Sequence, residues 1–201
     1  MPVNPPLREV YRDRDLLVVD KPAGVPSQAT RRGEAGAYEL LRAREAYLGL
    51  HHRLDTPASG LLLFTLSRRC NKAITEAFRA HAIQRTYLAR VLGDPGPAGT
   101  WEAPIEGEPA RTDWVRLESD GKTSLLELRL HTGRKHQIRL HALGAGHPIL
   151  GDRRHGGAVG ALCPRLALHA WRLELRHPVS GQPLSLSAPV PEALRSMMGE
   201  R

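Results

Sequence analysis

The hydrophobic positions fall mostly in short runs closed by turn residues. Residues 16–20 (LLVVD) form an aliphatic run ended by KPAGVP, which predicts a buried strand. Residues 61–66 (LLLFTL) predict a second. Residues 84–92 alternate, with Tyr87, Ala89 and Val91 on one side and Leu88, Arg90 and Leu92 on the other, which is strand spacing. Residues 124–130 alternate with Leu126, Leu128 and Leu130 inward. Residues 167–176 predict a further strand, followed by a hairpin turn over 178–182. Helical spacing is rarer. Cys70, Ile74, Ala77 and Phe78 predict a helix within 67–79, with Ser67 as its N-cap. Other helices are expected around 38–47, from Lys135 to about Leu143 after the Thr132-Gly133 turn, and over 191–198. Residues 93–122 are rich in Pro and Gly and are expected to hold loops and short strands. The order predicts an α+β fold with one mixed, mostly antiparallel sheet and helices against it. The 201 residues favour a single domain. Its first strand is expected near residue 15, leaving residues 1–14 as an extension.

Charge adds a partner to this picture. The formal net charge is +8 and the pI about 10.2, which points to a polyanion. Arginine dominates the cations, and its planar fork suits phosphate. Aromatic residues make up only 4%, which argues against a single-strand binder built mainly on stacking platforms. The two cysteines, Cys70 and Cys163, form no CxxC, so neither a disulfide framework nor a cysteine zinc site is expected. No signal-peptide pattern and no apolar run of membrane-spanning length occurs. A soluble protein in the reducing cytoplasm is the expectation.

Three segments carry candidate chemistry. In HHRLDTPASG (residues 51–60), Asp55 lies in a loop directly before a buried strand. Two roles are open for it: capping a turn, as loop aspartates do, or catalysis from a position fixed by the strand. In HTGRKHQIRLH (residues 131–141), Arg134, Lys135, His136 and Arg139 surround a turn-to-helix junction. On the expected helix Lys135, His136 and Arg139 can share a face. That face either holds phosphate near the helix start or is a solvated basic face. Tyr87 sits on a strand face where tyrosines usually serve the core. The histidines show neither HxxxH nor HExxH, so no metal is expected. No GxxxxGK[ST] or GxGxxG supports a nucleotide cofactor.

HHRLDTPASGLLLF resembles the signature loop of RluA-type pseudouridine synthases. KPAGVPSQ from Lys21 resembles that family's early strand-turn motif, and QRTYLARVLG from Gln84 its tyrosine-bearing strand. TGRKHQIRLHALGAGHPILGD from Thr132 is similar to its arginine motif, and LALHAWRLELRHPVSG from Leu166 to its C-terminal strand and turn. The five matches run in family order over about residues 15–190. His136-Gln137 favours the RluA type, because the neighbouring RsuA-type branch usually carries an arginine in place of this pair. Ala58 stands where threonine is usual, His155 where tyrosine is, and Arg85 where lysine is common.

The resemblance implies the pseudouridine synthase fold with a central RNA-binding cleft. It implies a catalytic domain over 15–201 without a separate N-terminal RNA-binding domain. It further implies isomerisation of uridines in transfer or ribosomal RNA by a monomer needing no cofactor and no metal. Asp55 would be the nucleophile, acting on a flipped-out uridine. Arg139 would pair with Asp55, and Tyr87 would stack on the uracil and help remove the proton from carbon 5. Leu168 would pack on the opposite face of the base. Arg53 would enter the RNA where the base departed, and Arg134, Lys135 and His136 would contact the RNA, the first two at flanking phosphates. Two rivals remain at this point: an RNA-binding protein on the same fold, and a metal-dependent phosphoesterase using the histidines.

Overall fold

A computed structural model describes residues 7–195. The elements run β1 (Arg8–Arg12), β2 (Leu16–Lys21), α1 (Ala37–Arg42), β3 (Gly49–Leu50), β4 (Ser59–Thr65), α2 (Asn71–Arg79), β5 (Gln84–Leu92), β6 (Ala98–Trp101), β7 (Thr112–Ser119), β8 (Thr123–Leu130), α3 (Gln137–Gly144), β9 (Leu168–Arg176), β10 (Pro183–Ser187) and α4 (Glu192–Arg195). The architecture is α+β, as expected. The chain divides into two compact units, one comprising Met1–Gln84 and Ala170–Ala188, the other Arg85–His169 and Pro189–Arg201. The hydrophobic pattern contains no sign of this division.

In the first unit β2 pairs antiparallel with both β1 and β4, β3 pairs with β4, and β9 forms a hairpin with β10. Every residue of β4 is buried, which explains its continuous hydrophobic run: a strand covered on both faces has no polar face to alternate with. One face carries the core of this unit. Leu16 and Val18 of β2, Leu61 and Leu63 of β4, and Leu173 and Leu175 of β9 pack with Ile74 of α2. Ala77 and Phe78 of α2 join them, so the helical spacing read from the sequence is the buried stripe.

The second unit pairs β5 with β8, β8 with β7, and β7 with β6, all antiparallel. Leu126 and Leu128 are fully buried, while Leu130 is only half-buried. Strand β5 is buried on both faces and includes Arg90. The Arg90 guanidinium is held by Glu118, by the Thr123 hydroxyl and by the Leu194 carbonyl, which ties β5 to α4.

Several expectations need correction. The first strand is Arg8–Arg12, so part of the expected extension is sheet; none of its residues is fully buried and its burial does not alternate, so no strand signal stands out. Helix α1 ends at Arg42, because the chain must reach extended β3 within a few residues. Ser67 makes no side-chain cap. Asp15 instead accepts two hydrogen bonds from Arg69, at 2.9 and 2.7 Å, and one from Cys70. A single 3-10 turn therefore precedes α2. Helix α3 begins at Gln137, because His136 has φ +56°. The terminal helix covers Glu192–Arg195, and residues 196–198 of that expectation lie outside the described residues.

Gly60, the second residue of β4, has φ +113°, and a Cβ there would lie 2.2 Å from the Ala170 carbonyl oxygen. Both backbone strain and a backbone clash oppose a side chain. Gly60→Ala should destabilise the protein by about 3 kcal/mol. Urea unfolding should show a lower midpoint at unchanged slope.

Candidate active site

The Asp55 loop is held from beneath. Lys21, at the end of β2, is 0% exposed, and four carbonyl oxygens surround its three N–H donors within hydrogen-bonding distance. The oxygens are those of Ala58 at 2.6 Å, Val25 at 2.7 Å, Pro22 at 3.0 Å and Thr56 at 3.4 Å. Two belong to the KPAGVP turn and two to the turn that follows Asp55. A buried ammonium survives only where oxygens replace its water, and this cage supplies them. Ser27 adds a second clamp: its hydroxyl accepts from the Leu54 N–H and donates to the Leu54 carbonyl, each at 2.9 Å. Gly24 N–H donates to Thr56 O at 2.8 Å, and Ala58 N–H donates to Asp55 O at 3.0 Å, closing the turn. Asp55 is thus half-buried on a loop fixed at both neighbours, and Arg53, two residues before it, is exposed. Lys21 and Ser27 were not singled out in the sequence. A lysine beside Pro and Gly reads as a solvated loop residue, and no spacing rule reveals its carbonyl cage.

In the second unit Tyr87 lies on β5 opposite Leu128, 7% exposed. Arg139, on α3, is buried, and it binds Asp152 in a fork: Nε to one carboxylate oxygen at 2.8 Å, Nη2 to the other at 2.7 Å. Asp152 is a partner for Arg139 that the sequence reading did not name. The same carboxylate accepts from the Arg154 and His155 N–H groups at 3.1 and 3.0 Å. Burial pushes the Asp152 carboxyl up. The Arg139 fork and those N–H bonds push it further down, so it lies below the ordinary carboxylate range.

Residues 134–136 do not form a helical face with Arg139. His136 has the left-handed backbone, and Gln137 accounts for the turn: its amide oxygen accepts from Arg134 N–H at 3.0 Å and from the Thr132 hydroxyl at 2.7 Å. Its amide nitrogen donates to Arg111 O and to Thr112 Oγ1, at 2.9 and 3.0 Å. Thr112 also bonds His141 Nδ1 at 2.9 Å, while His141 Nε2 reaches Ala103 O at 2.9 Å. Helix α3 is bolted to β7 by Gln137 and His141, which lie away from the face expected to carry Lys135, His136 and Arg139. Lys135 is exposed. Arg134 is engaged, its Nε donating to Pro109 O at 3.1 Å and its Nη2 pairing with Glu108 at 3.2 Å. His136 Nδ1 shares a proton with His155 Nε2 at 3.0 Å, so the residue that departs from the family's tyrosine still meets the motif. Leu168 opens β9 and is buried. Its carbonyl accepts from Arg165 at 3.3 Å. Among the described residues no group of three or more His, Cys, Asp or Glu could hold a metal ion. No helix among them is long and apolar enough to cross a membrane.

The chain matches the RNA pseudouridylate synthase family over residues 15–143. It is 36% identical over 231 residues to the ribosomal large subunit pseudouridine synthase D of Xanthomonas campestris pv. campestris, covering 98% of this chain and 70% of that one. It is 34% identical over 208 residues to the dual-specificity RNA pseudouridine synthase RluA of Escherichia coli O6:H1, covering 94% and 95%. The solved human RNA pseudouridylate synthase domain containing 4 shares its fold at TM-score 0.75 and 23% identity, covering 94% of this chain and 93% of that one.

Lys21→Met should remove the cage's centre and cost about 3 kcal/mol or more, since each deprived carbonyl is worth roughly 1–3 kcal/mol and the relief of a buried charge offsets only part of the sum. Amide exchange at Gly24 and Leu54 should accelerate together; unchanged exchange would show that the loops hold without the ammonium. Asp152→Asn should leave Arg139 short of a counter-charge, at about 3–5 kcal/mol near neutral pH. The folded pKa of Asp152 is depressed, so its contribution is present above the ordinary value of 3.8 and is lost as pH falls below it. The gap between wild type and Asp152→Asn in thermal unfolding should therefore close in acid.

Proposed function

Since the chain belongs to the RNA pseudouridylate synthase family, we propose that it isomerises particular uridines of transfer or ribosomal RNA, with Asp55 as nucleophile on a base flipped out of its stack. The chain is a pseudouridine synthase, an isomerase acting on RNA; the target and the residue roles are the proposal. The relatives' names favour a ribosomal target, and the dual-specificity relative keeps a second RNA class in view.

Isomerisation breaks the bond from the ribose anomeric carbon to uracil N1 and forms one to carbon 5. The carbon 5 proton is released and N1 gains one, so no oxidant, reductant or cofactor enters the reaction. It needs a nucleophile, a proton acceptor and access to the base. The observation that carries this reading is the Asp55 turn, fixed through Lys21 and Ser27 while the side chain stays half-buried. Positioned carboxylates serve covalent catalysis, and a loop clamped this firmly pre-positions one. A guanidinium beside that carboxylate would keep it ionised in a dehydrated pocket, which is the role assigned to Arg139. Arg139 is itself held by Asp152 in a planar fork, so it would be presented without rotamer search.

Tyr87 would stack on the uracil and help remove the carbon 5 proton, with Leu168 against the other face. Arg53, exposed, would fill the place the base leaves. Flipping costs a few kcal/mol, less in a loop than in a stem. Lys135 and His136 would contact flanking RNA, as would Arg134 after exchanging Glu108 for a phosphate, so affinity should fall with salt. The protein would act as a monomer in the cytoplasm.

Tritium release from RNA labelled at carbon 5 of uridine tests the reaction. Wild type should release label into water from total RNA of cells lacking the enzyme, with EDTA present. Asp55→Ala should release none while its RNA affinity stays within about three-fold, because only a transition-state contact is lost. Parallel loss of binding would remove the purely chemical role of Asp55.

A further inference from the structure

A cavity of about 580 Å³ opens in the first unit beside the Asp55 loop, lined by Tyr38, Glu39, Tyr47, His51, Asn71 and Gln28 among others. Both of its walls lead to the Asp55 turn. Gln28 follows Ser27, whose hydroxyl grips Leu54. His51 precedes Asp55 by four residues, at most about 14 Å of extended chain. None of the roles assigned above uses it.

The hydrogen bonds around the cavity decide what it offers. Asn71 Nδ2 donates to the Tyr47 hydroxyl oxygen, and Asn71 Oδ1 accepts the Thr65 hydroxyl proton at 2.7 Å. With its only proton committed, Thr65 Oγ1 accepts from His51 Nε2 at 2.9 Å. His51 Nδ1 is then the acceptor for the Thr75 hydroxyl at 3.1 Å. Burial pushes the His51 imidazole down, against the Asn71 hydrogen bond, in keeping with this neutral form. The relay fixes Tyr47 as an acceptor from Asn71, so its own proton is free to be donated. Glu39 uses one carboxylate oxygen for the Gly36 N–H at 2.9 Å and keeps the other. Arg68 lies over the Tyr47 ring, 4.9 Å from its centroid, with its charge exposed. Arg31 and Arg32 are exposed on the loop that leads from Gln28 to α1.

Aromatic rings, one donor, one acceptor, a guanidinium over Tyr47 and two more on the adjoining loop complement a single nucleotide: a base to stack, an edge to bond and a phosphate to neutralise. The cavity volume is in the range of small-ligand sites. Two of the four tyrosines of an aromatic-poor chain line it. We propose that this cavity seats one unpaired nucleotide of the RNA substrate, a near neighbour of the target uridine on the same strand. The inference deepens the pseudouridylation reading and rests on it for the direction of the strand. It makes Tyr38 and Tyr47 specificity residues that select RNA by what lies beside the target.

The test separates binding from turnover. Binding is read by fluorescence anisotropy on labelled synthetic stem-loops with uridine in the loop, each carrying one abasic nucleotide at a different loop position. Turnover is read by tritium release from total RNA. Tyr38→Ala should weaken stem-loop binding about five-fold or more, the low end for losing one stacked base. It should raise KM alike and leave kcat within about two-fold. Tyr38→Phe should match wild type, since the Tyr38 hydroxyl bonds no described residue. One abasic position should weaken wild-type binding by the factor seen for Tyr38→Ala, and should have no further effect in that variant. Unchanged binding in Tyr38→Ala, or abasic penalties that simply add to the mutation at every position, overturns the proposal. So does loss of binding that merely tracks a lowered melting temperature, or protection of the cavity by free mononucleotides with RNA affinity unaltered. Wild type that shows the abasic coupling but releases no tritium would sink the reaction while leaving the nucleotide site standing.

Discussion

The ammonium of Lys21, fully buried, sets the terms for the first unit. It sits at the end of β2, and its four carbonyl partners come from two turns separated by more than thirty residues. Such a charge is tolerable only if all of those oxygens converge, so each turn constrains the other. The Asp55 turn is held by that convergence and by the separate Ser27 grip on Leu54. Hydrophobic packing of β2, β4 and α2 supplies the stability, but it does not specify where a loop carboxylate sits. The polar cage does.

The second unit solves a similar problem by different means. Helix α3 buries Ile138 and Ala142 together with the polar Gln137, Arg139 and His141. Each is satisfied: Gln137 and His141 on Thr112, Arg139 on Asp152. Buried polar networks of this kind are costly when incomplete and rigid when complete. The order in the Arg139 guanidinium comes from thirteen residues downstream, where Asp152 also gathers the following N–H groups into a turn.

Strands with one buried face or two were legible in the chain, and so were the helix carrying Ile74 and Phe78 and the α+β class. They are readable because burial imposes a period on the residues themselves. Strand β5 appears with the bounds its alternation implies. What escaped notice was set by partners distant in sequence. The strand at Arg8–Arg12 is defined by its pairing with β2 and shows little pattern of its own. His136 takes a left-handed backbone because Gln137 holds the preceding turn, and a histidine carries no mark of that. Lys21 and Asp152 look like ordinary loop charges until their cages are seen. The resemblance to a family pointed to the candidate segments; it could not reveal which neighbours hold them in place.

Gln137 belongs to the residue pair that sorts the two branches of this family. Its amide is wired in one orientation, with two donors on its oxygen and two acceptors on its nitrogen. A glutamate of the same shape would face Arg111 O and Thr112 Oγ1 with an acceptor, and an arginine would face two donors with more donors. A change at position 137 alone would leave those partners mismatched. Positions 112 and 132 should change with it or stay with it, so a mark used to classify substrates' enzymes can persist for reasons of scaffold. Two of the four partners are backbone groups, the Arg134 N–H and the Arg111 carbonyl, so the path of the chain itself holds this amide in its orientation.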